Sequence, residues 1–270
     1  MKPLFAVVVA IALAGQAEAA GLPDRISARG ELIVAVVPNY PPMEFRDPAT
    51  NALAGFDIDL GEALARKLGV KVEWQETAFE QMIPALGTGR VDAILSGMSD
   101  LASRHDAASF VDYLRSGPQF FVQGSRAAEF SDMNALCGKA VGASRRTSFP
   151  KEIAAWSDAH CGDKPIRFVG TEGSADARTQ LRQGRIDAAV QGNETLSYIM
   201  AQEPNAYVEI GEPIGAQLTG IAIAKGDSDL QQTIAGAVDA LIADGTYKAL
   251  LEKWRLSANG IEKASINAGQ

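Results

Sequence analysis

Apolar residues along this chain fall in two rhythms: short unbroken β-branched runs, and longer stretches in which they recur every three or four positions. Leu32-Ile33-Val34-Ala35-Val36-Val37, bounded by Gly30 and Pro38, reads as a buried strand. Gly55-Phe56-Asp57 opens a helix with Ile58, Leu60, Leu64, Ala65 and Leu68 on one face, and Gly69 closes it. Residues 70–74 form the next predicted strand. Residues 79–86 form the next helix, ended by Gly87 and Gly89, and residues 91–95 a third strand. Tyr40-Pro41-Pro42-Met43-Glu44-Phe45 reads as a stiff loop, because the two prolines fix φ and hold Tyr40 extended. The β-α-β-α-β order predicts a mostly parallel sheet with helices on both faces and ligands at the carboxyl ends of its strands. Tyr40, Phe79 and the turn at Ser96 each follow a strand, so all three are expected to face one crevice.

A second unit repeats the rhythm. Residues 120–122 and 139–143 read as strands, and Ser144-Arg145-Arg146-Thr147-Ser148 leads into a helix through Ile153 and Trp156. Strand 166–169, helix 174–183 and strand 186–190 follow, the last ending at Gln191-Gly192-Asn193-Glu194. Residues 218–224 make a further apolar strand. The next helix carries Leu230, Ile234, Val238 and Leu241 at helical spacing, and the last opens at Gly245-Thr246-Tyr247 and turns Leu250, Leu251 and Trp254 inward. From Gly260 onward the chain is expected to fray.

The stretch with most chemistry is Ser96-Gly97-Met98-Ser99-Asp100-Leu101-Ala102-Ser103-Arg104. Small residues turn the chain after a strand, and Ser99 and Asp100 are candidate N-caps for a helix running through Arg104. Free backbone amides favour an anion there, and a guanidinium fork grips a carboxylate with two hydrogen bonds. A solvated turn with Arg104 in a surface ion pair is the competing reading.

Met1-Lys2-Pro3 followed by an apolar run over 4–14 and Ala17-Glu18-Ala19 has the form of a secretory signal peptide over residues 1–19. No cysteine stands at the cleavage site, so a lipid anchor is not expected. No later apolar run reaches the roughly 18 residues of a membrane span, so the mature chain is expected to be soluble. The two cysteines, Cys137 and Cys161, are expected to pair in an oxidising compartment. A net charge of −8 argues against nucleic acid or anionic lipid as partner. The two histidines, His105 and His160, have no ligand-like spacing, so no metal site is expected. There is no phosphate loop and no Gly-x-Ser-x-Gly elbow, and no cofactor is expected.

Gly55-Phe56-Asp57-Ile58-Asp59-Leu60-Gly61-Glu62-Ala63-Leu64-Ala65-Arg66-Lys67-Leu68 resembles, position by position, the signature segment of family 3 bacterial extracellular solute-binding proteins, the periplasmic receptors of polar amino acid ABC transporters. Tyr40-Pro41-Pro42, Ile83-Pro84-Ala85-Leu86, Ser96-Gly97-Met98, Gly184-Arg185-Ile186-Asp187-Ala188 and Asp244-Gly245-Thr246-Tyr247 extend the resemblance along the mature chain. It implies the type II periplasmic-binding-protein fold: two α/β lobes, each a mostly parallel sheet flanked by helices, joined by two crossovers with ligand between them. By analogy the crossovers lie near 116–119 and 215–218. Lobe one is then 22–116 plus 218–262, lobe two 117–217, and 263–270 a tail.

The same resemblance assigns roles. Arg104 stands where the family clamps the ligand α-carboxylate, with the Ser99 N–H beside it. Tyr40 and Phe79 stand where aromatic rings sandwich the ligand side chain. Ser96 and Gly97 fall where backbone carbonyls meet the ammonium group, and Thr147 and Ser148 match the paired threonines that complete the carboxylate site. Two positions depart from the pattern. Gly192, flanked by Asn193 and Glu194, replaces the aspartate that pairs with the ammonium, and Arg146, next to Arg145, replaces a glycine. An ammonium buried without a counter-charge is costly. Either the ligand lacks a primary ammonium or carries an extra anionic group, or Glu194 or Asn193 replaces the aspartate while the arginines face solvent.

The expected function is that of a monomeric periplasmic binding protein. It would capture an amino acid or related carboxylate by domain closure and hand it to the membrane permease of an ABC transporter, with no enzymatic activity. Two alternatives remain. One is a cyclohexadienyl-dehydratase-like enzyme, whose catalytic glutamate would fall at Thr195 or, with a one-residue slip, Glu194. The other is a periplasmic ligand sensor.

Overall fold

The β-branched run after Gly30 forms the strand Glu31–Val36, which pairs in parallel with Lys71–Glu76 on one side and Ala93–Ile94 on the other. These coordinates, a computed structural model, describe residues 21–270; the expected signal peptide at 1–19 lies outside the described residues. Gln217–Ala224 adds antiparallel to Ala93–Ile94, Ala108–Ser116 adds to it in turn, and Ser265–Ile266 closes the edge. Period-two alternation divides the side chains between two layers. Val34, Ala93, Val111 and Ile221 pack under the helices Phe56–Leu68, Ser228–Ala243 and Thr246–Trp254. Ala35, Ile94, Phe110 and Ala222 pack under the helix Phe79–Gly87.

A second sheet has the order Arg167–Thr171, Ala140–Ser144, Ala188–Gly192, Pro118–Gln123, Tyr207–Ile210. Its first three strands are parallel and the last two antiparallel. Phe120 and Val122 face the helix Phe149–His160. Phe121 faces Ser174–Arg182 and Asn193–Gln202. The chain is thus a two-lobe α/β protein. It passes between the sheets at Gly117 and returns over 211–216. The two passages touch, since a Cβ on Gly117 would lie 2.3 Å from the Gly215 carbonyl oxygen. Cys137 and Cys161 form a disulfide, tying the turn Met133–Leu136 to the end of the helix Phe149–His160.

Several elements differ from expectation. Ser99 and Asp100 cap no α-helix: they pair as a short strand with Leu218 and Thr219, and Ala102–Arg104 is a single 3-10 turn. The antiparallel partner satisfies the backbone groups that helix capping would otherwise have used. The Tyr40–Phe45 segment is a hairpin rather than a loop, with Tyr40 opposite Glu44 in a small sheet completed by Leu53–Ala54. Gly55, at φ 135°, ends that sheet where a Cβ would meet the Met43 carbonyl oxygen at 2.2 Å. Residues after Gly260 do not fray. Ser265 and Ile266 lie opposite Asp112 and Val111, and the Asn267 amide oxygen accepts from Phe110 N–H at 2.7 Å.

Candidate functional site

The strands of both sheets deliver their carboxyl ends to one cavity of about 80 Å³, room for several waters or a small molecule. From the first lobe come Tyr40, Glu44, Phe79, Ser96, Gly97, Ser99 and Arg104; from the second, Ser144, Thr147, Ser148, Phe149, Glu172, Gly173 and Ser174. Thr147, Ser148 and Phe149 stand at the N-terminal end of the helix Phe149–His160, whose dipole favours a carboxylate, and the Phe149 N–H donates to Thr147 Oγ1 at 3.3 Å.

Arg104 is held by its own turn. One guanidinium nitrogen donates to the Ser99 carbonyl at 2.6 Å, and the group lies 5.8 Å from the centre of the Phe79 ring. Burial draws its pKa below the ordinary value, with Asp100 opposing; it stays a cation. Ser99 Oγ donates to Gln217 Oε1 at 3.0 Å, and Gln217 Nε2 donates to Ser148 Oγ at 3.1 Å. Gln217 thereby links lobe one's turn to lobe two's helix. Thr147 Oγ1 donates to the Ser144 carbonyl at 2.8 Å, fixing the bend before that helix.

Tyr40 is the second bridge. Its hydroxyl donates to Glu194 Oε1 at 2.9 Å and accepts from the Gly192 N–H at 3.1 Å. Burial raises the Tyr40 pKa well above 10, and the neighbouring Glu194 adds to the rise. Glu194 also accepts from Ser116 Oγ, and burial pushes its carboxyl above the usual range. Gly97, at φ 55°, lies so close to Tyr40 that a Cβ there would fall 3.0 Å from the ring, and its N–H donates to Asp57 Oδ2 at 2.8 Å. Asp57 sits in the first turn of the helix Phe56–Leu68, so the resemblance-bearing segment also anchors the cavity turn.

Tyr40, Phe79, Ser96, Gly97, Ser99, Arg104, Thr147 and Ser148 therefore share one cavity lining, whereas Arg146, Gly192 and Asn193 lie off it. Arg146 reaches across to Glu80 at the start of the helix Phe79–Gly87. Its neighbour Arg145 pairs with Glu172 at 2.9 Å and donates to the Gly170 carbonyl. Both added positive charges are thus neutralised by carboxylates. Asn193 accepts from Asn259 Nδ2 at 3.2 Å. A Cβ on Gly192 would fall 2.1 Å from a Glu194 carboxylate oxygen. Glu194 therefore fills the space a side chain at 192 would take, but its oxygens are engaged by Tyr40 and Ser116.

Sequence reasoning missed Glu44 and Gln217. Glu44 is 1% exposed; its Oε1 accepts from Ser96 Oγ at 2.9 Å and no donor reaches its Oε2. An acidic residue between prolines and aromatics was the available signal, hidden by reading the segment as a loop. Gln217 carried none. Among the described residues no group of His, Cys, Asp and Glu is placed to hold a metal, and no helix is long and apolar enough to cross a membrane.

The family model of bacterial extracellular solute-binding proteins, family 3, matches residues 32–257. The chain is 31% identical over 223 residues to an L-arginine-binding protein of Pseudomonas aeruginosa, covering 80% of this chain and 84% of that protein. Among solved structures it is similar to an ancestral arginine-binding protein bound to arginine, with TM-score 0.75, 32% identity and 84% and 98% of the two chains covered. It is also similar to the ancestral amino acid-binding protein AncCDT-1, a precursor of cyclohexadienyl dehydratase, with TM-score 0.73, 31% identity and coverage of 86% and 98%.

Proposed function

We propose, from the premise that this chain belongs to the bacterial extracellular solute-binding proteins, family 3, that it captures a free amino acid between its lobes and delivers it to the permease of an ABC importer. The observation that carries this reading is that Arg104 of one lobe and the N-terminal end of the helix Phe149–His160 of the other line one cavity. The ligand carboxylate docks on Arg104 and the Ser99 turn, with Thr147 and Ser148 completing its shell. Tyr40 and Phe79 wall the side chain, and Ser96 and Gly97 face the ammonium. Lobe one comprises 22–116 together with the return strand Gln217–Ala224 and the chain after it through Ile266, and lobe two the intervening residues, turning about the adjoining crossovers. Tyr40 with Glu194, Arg146 with Glu80, and Ser148 with Gln217 are contacts of the closed form. Closure follows because the ligand binds that form more tightly than the open one. The site of action is the periplasm, reached through the 1–19 segment.

The relatives above are named for arginine, and the family resemblance is to receptors of polar amino acids. With Arg145 and Arg146 already paired to Glu172 and Glu80, the cavity offers the ligand one cation, Arg104, and one carboxyl without a basic partner, Glu44. That balance favours zwitterionic or cationic amino acids over ligands with a further anionic group. We read the protein as a receptor and not an enzyme, because Glu194 is engaged by Tyr40 and Ser116 and Thr195 donates to the Gly192 carbonyl at 2.7 Å. Calorimetric titration of ligand-stripped protein with the standard amino acids, L-arginine first, tests the reading. Saturable binding without turnover of prephenate or arogenate is expected. Turnover, or silence toward every amino acid, would overturn it.

A further inference from the structure

Beside the cavity the protein buries three carboxyls with no base among them. Glu44, Asp57 and Glu194 are 1%, 0% and 4% exposed. Among the described residues none of the three pairs with a lysine, arginine or histidine. The groups packed around Glu44 come from five elements. Its own hairpin supplies Tyr40, and the 96–97 turn supplies Ser96. Asp57 comes from the helix Phe56–Leu68, Glu194 from the helix Asn193–Gln202, and Tyr113 from the strand Ala108–Ser116. Asp57 has its oxygens satisfied, accepting from Gly97 N–H and Tyr113 O–H at 2.8 Å each, and it sits at a helix N-terminus. Those donors and the helix dipole make it the first of the Glu44–Asp57 pair to ionise as pH rises. Glu44 and Asp57 accept from adjacent residues of one turn, Ser96 Oγ at 2.9 Å and Gly97 N–H at 2.8 Å, so the two carboxyls adjoin. Two adjoining carboxyls do not both ionise away from water, so Glu44 holds a proton against Asp57.

A ligand ammonium enclosed here needs a counter-charge. Gly192 supplies none, and Glu194 is spent on Tyr40 and Ser116. Glu172 is exposed and paired with Arg145. Glu44 is the lining carboxyl that is buried and has an oxygen without a donor.

We infer that Glu44 is the counter-charge for the ligand's cationic centre, and that it yields the proton it shares with Asp57 to a buffer base as the ligand docks. The inference rests on the amino-acid-binding reading and adds its charge chemistry. Each capture of a cationic group then liberates a proton, and affinity rises with pH until the pair is already ionised. Burial and the neighbouring Asp57 both raise the Glu44 pKa, which keeps the proton in place in the empty site.

The test is calorimetric titration with L-arginine, or the tightest-binding standard amino acid, in phosphate and in Tris at the same near-neutral pH. The difference in observed enthalpy between the buffers counts protons. The expected result is release of about one proton per ligand in the wild type. Glu44→Gln, which keeps an acceptor for Ser96, should release none and bind at least about tenfold more weakly. Wild-type binding without proton release overturns the inference even if the variant does not fold. Unchanged affinity in Glu44→Gln overturns it too; if Arg104→Ala abolishes binding in that case, the amino-acid-binding reading stands alone. Absence of binding by every amino acid removes both.

Discussion

Removing one oxygen atom, by Tyr40→Phe, separates closure from the stability of either lobe. The ring stays in the cavity wall, while the hydroxyl that spans from the first lobe to Glu194 and Gly192 of the second is lost. In the closed form Glu194 then keeps only Ser116 as side-chain donor, and the Gly192 N–H loses its acceptor. Leaving a buried polar group unsatisfied costs about 1–3 kcal/mol. In the open form water reaches both groups, so the cost falls on closure alone. At 1.4 kcal/mol per factor of ten, ligand affinity should weaken about 5- to 150-fold. The melting temperature of the ligand-free protein should move by no more than about a degree, because no contact within either lobe is altered. Calorimetry with the cognate amino acid and a thermal melt of the stripped protein read the two quantities. An unchanged Kd would refute the argument, as would a loss of ligand-free stability as large as the loss of binding.

Arg104→Ala removes the proposed partner of the ligand carboxylate and should cost about 2–5 kcal/mol of binding by calorimetry; a loss below about half a kcal/mol would assign the clamp elsewhere. Reducing the Cys137–Cys161 disulfide, whose cysteines are 24 positions apart, should destabilise the protein by about 3.5 kcal/mol in the chain-entropy model, read as a lower denaturation midpoint. Burial pushes Asp57 and Asp112 up to about 7, above their unfolded value of roughly 3.9. The native state therefore holds more protons than the unfolded chain between those values. That contribution is present at acidic pH and is lost as pH rises toward 7. The ligand-free protein should melt higher in mild acid than at neutral pH, and Asp57→Asn should flatten the slope; a melting point that climbs through this window would contradict the assignment.

Local signals in the chain specify much of this fold, and apart from the Tyr40–Phe45 hairpin the failures are non-local. The helix Phe56–Leu68 is legible because its apolar face keeps the helical period and Gly69 supplies a left-handed cap at φ 73°. Arg104 is legible as a candidate because small residues and a guanidinium follow a strand. Ser99–Asp100 is not legible as a strand, because its partner Leu218–Thr219 is far along the chain. The strand Ala108–Ser116 is obscured by Asp112, a carboxyl in mid-strand whose Oδ2 accepts from Ser265 Oγ of the C-terminal segment at 2.7 Å. The same contact explains why that segment docks. Arg145 and Arg146 read as added positive charge in the sequence, and only the folded chain supplies Glu172 and Glu80 to neutralise them. Glu44 was hidden for a related reason: a lone acid says nothing about whether its oxygens find donors.

The most direct measurement is calorimetric titration of ligand-stripped protein with matched pairs, each amino acid against its deaminated carboxylate. The account predicts that amino acids bind and their deaminated partners bind far more weakly, since Arg104 holds the carboxylate in both and Glu44 awaits the cation in one. Equal or tighter binding of the carboxylates would contradict it.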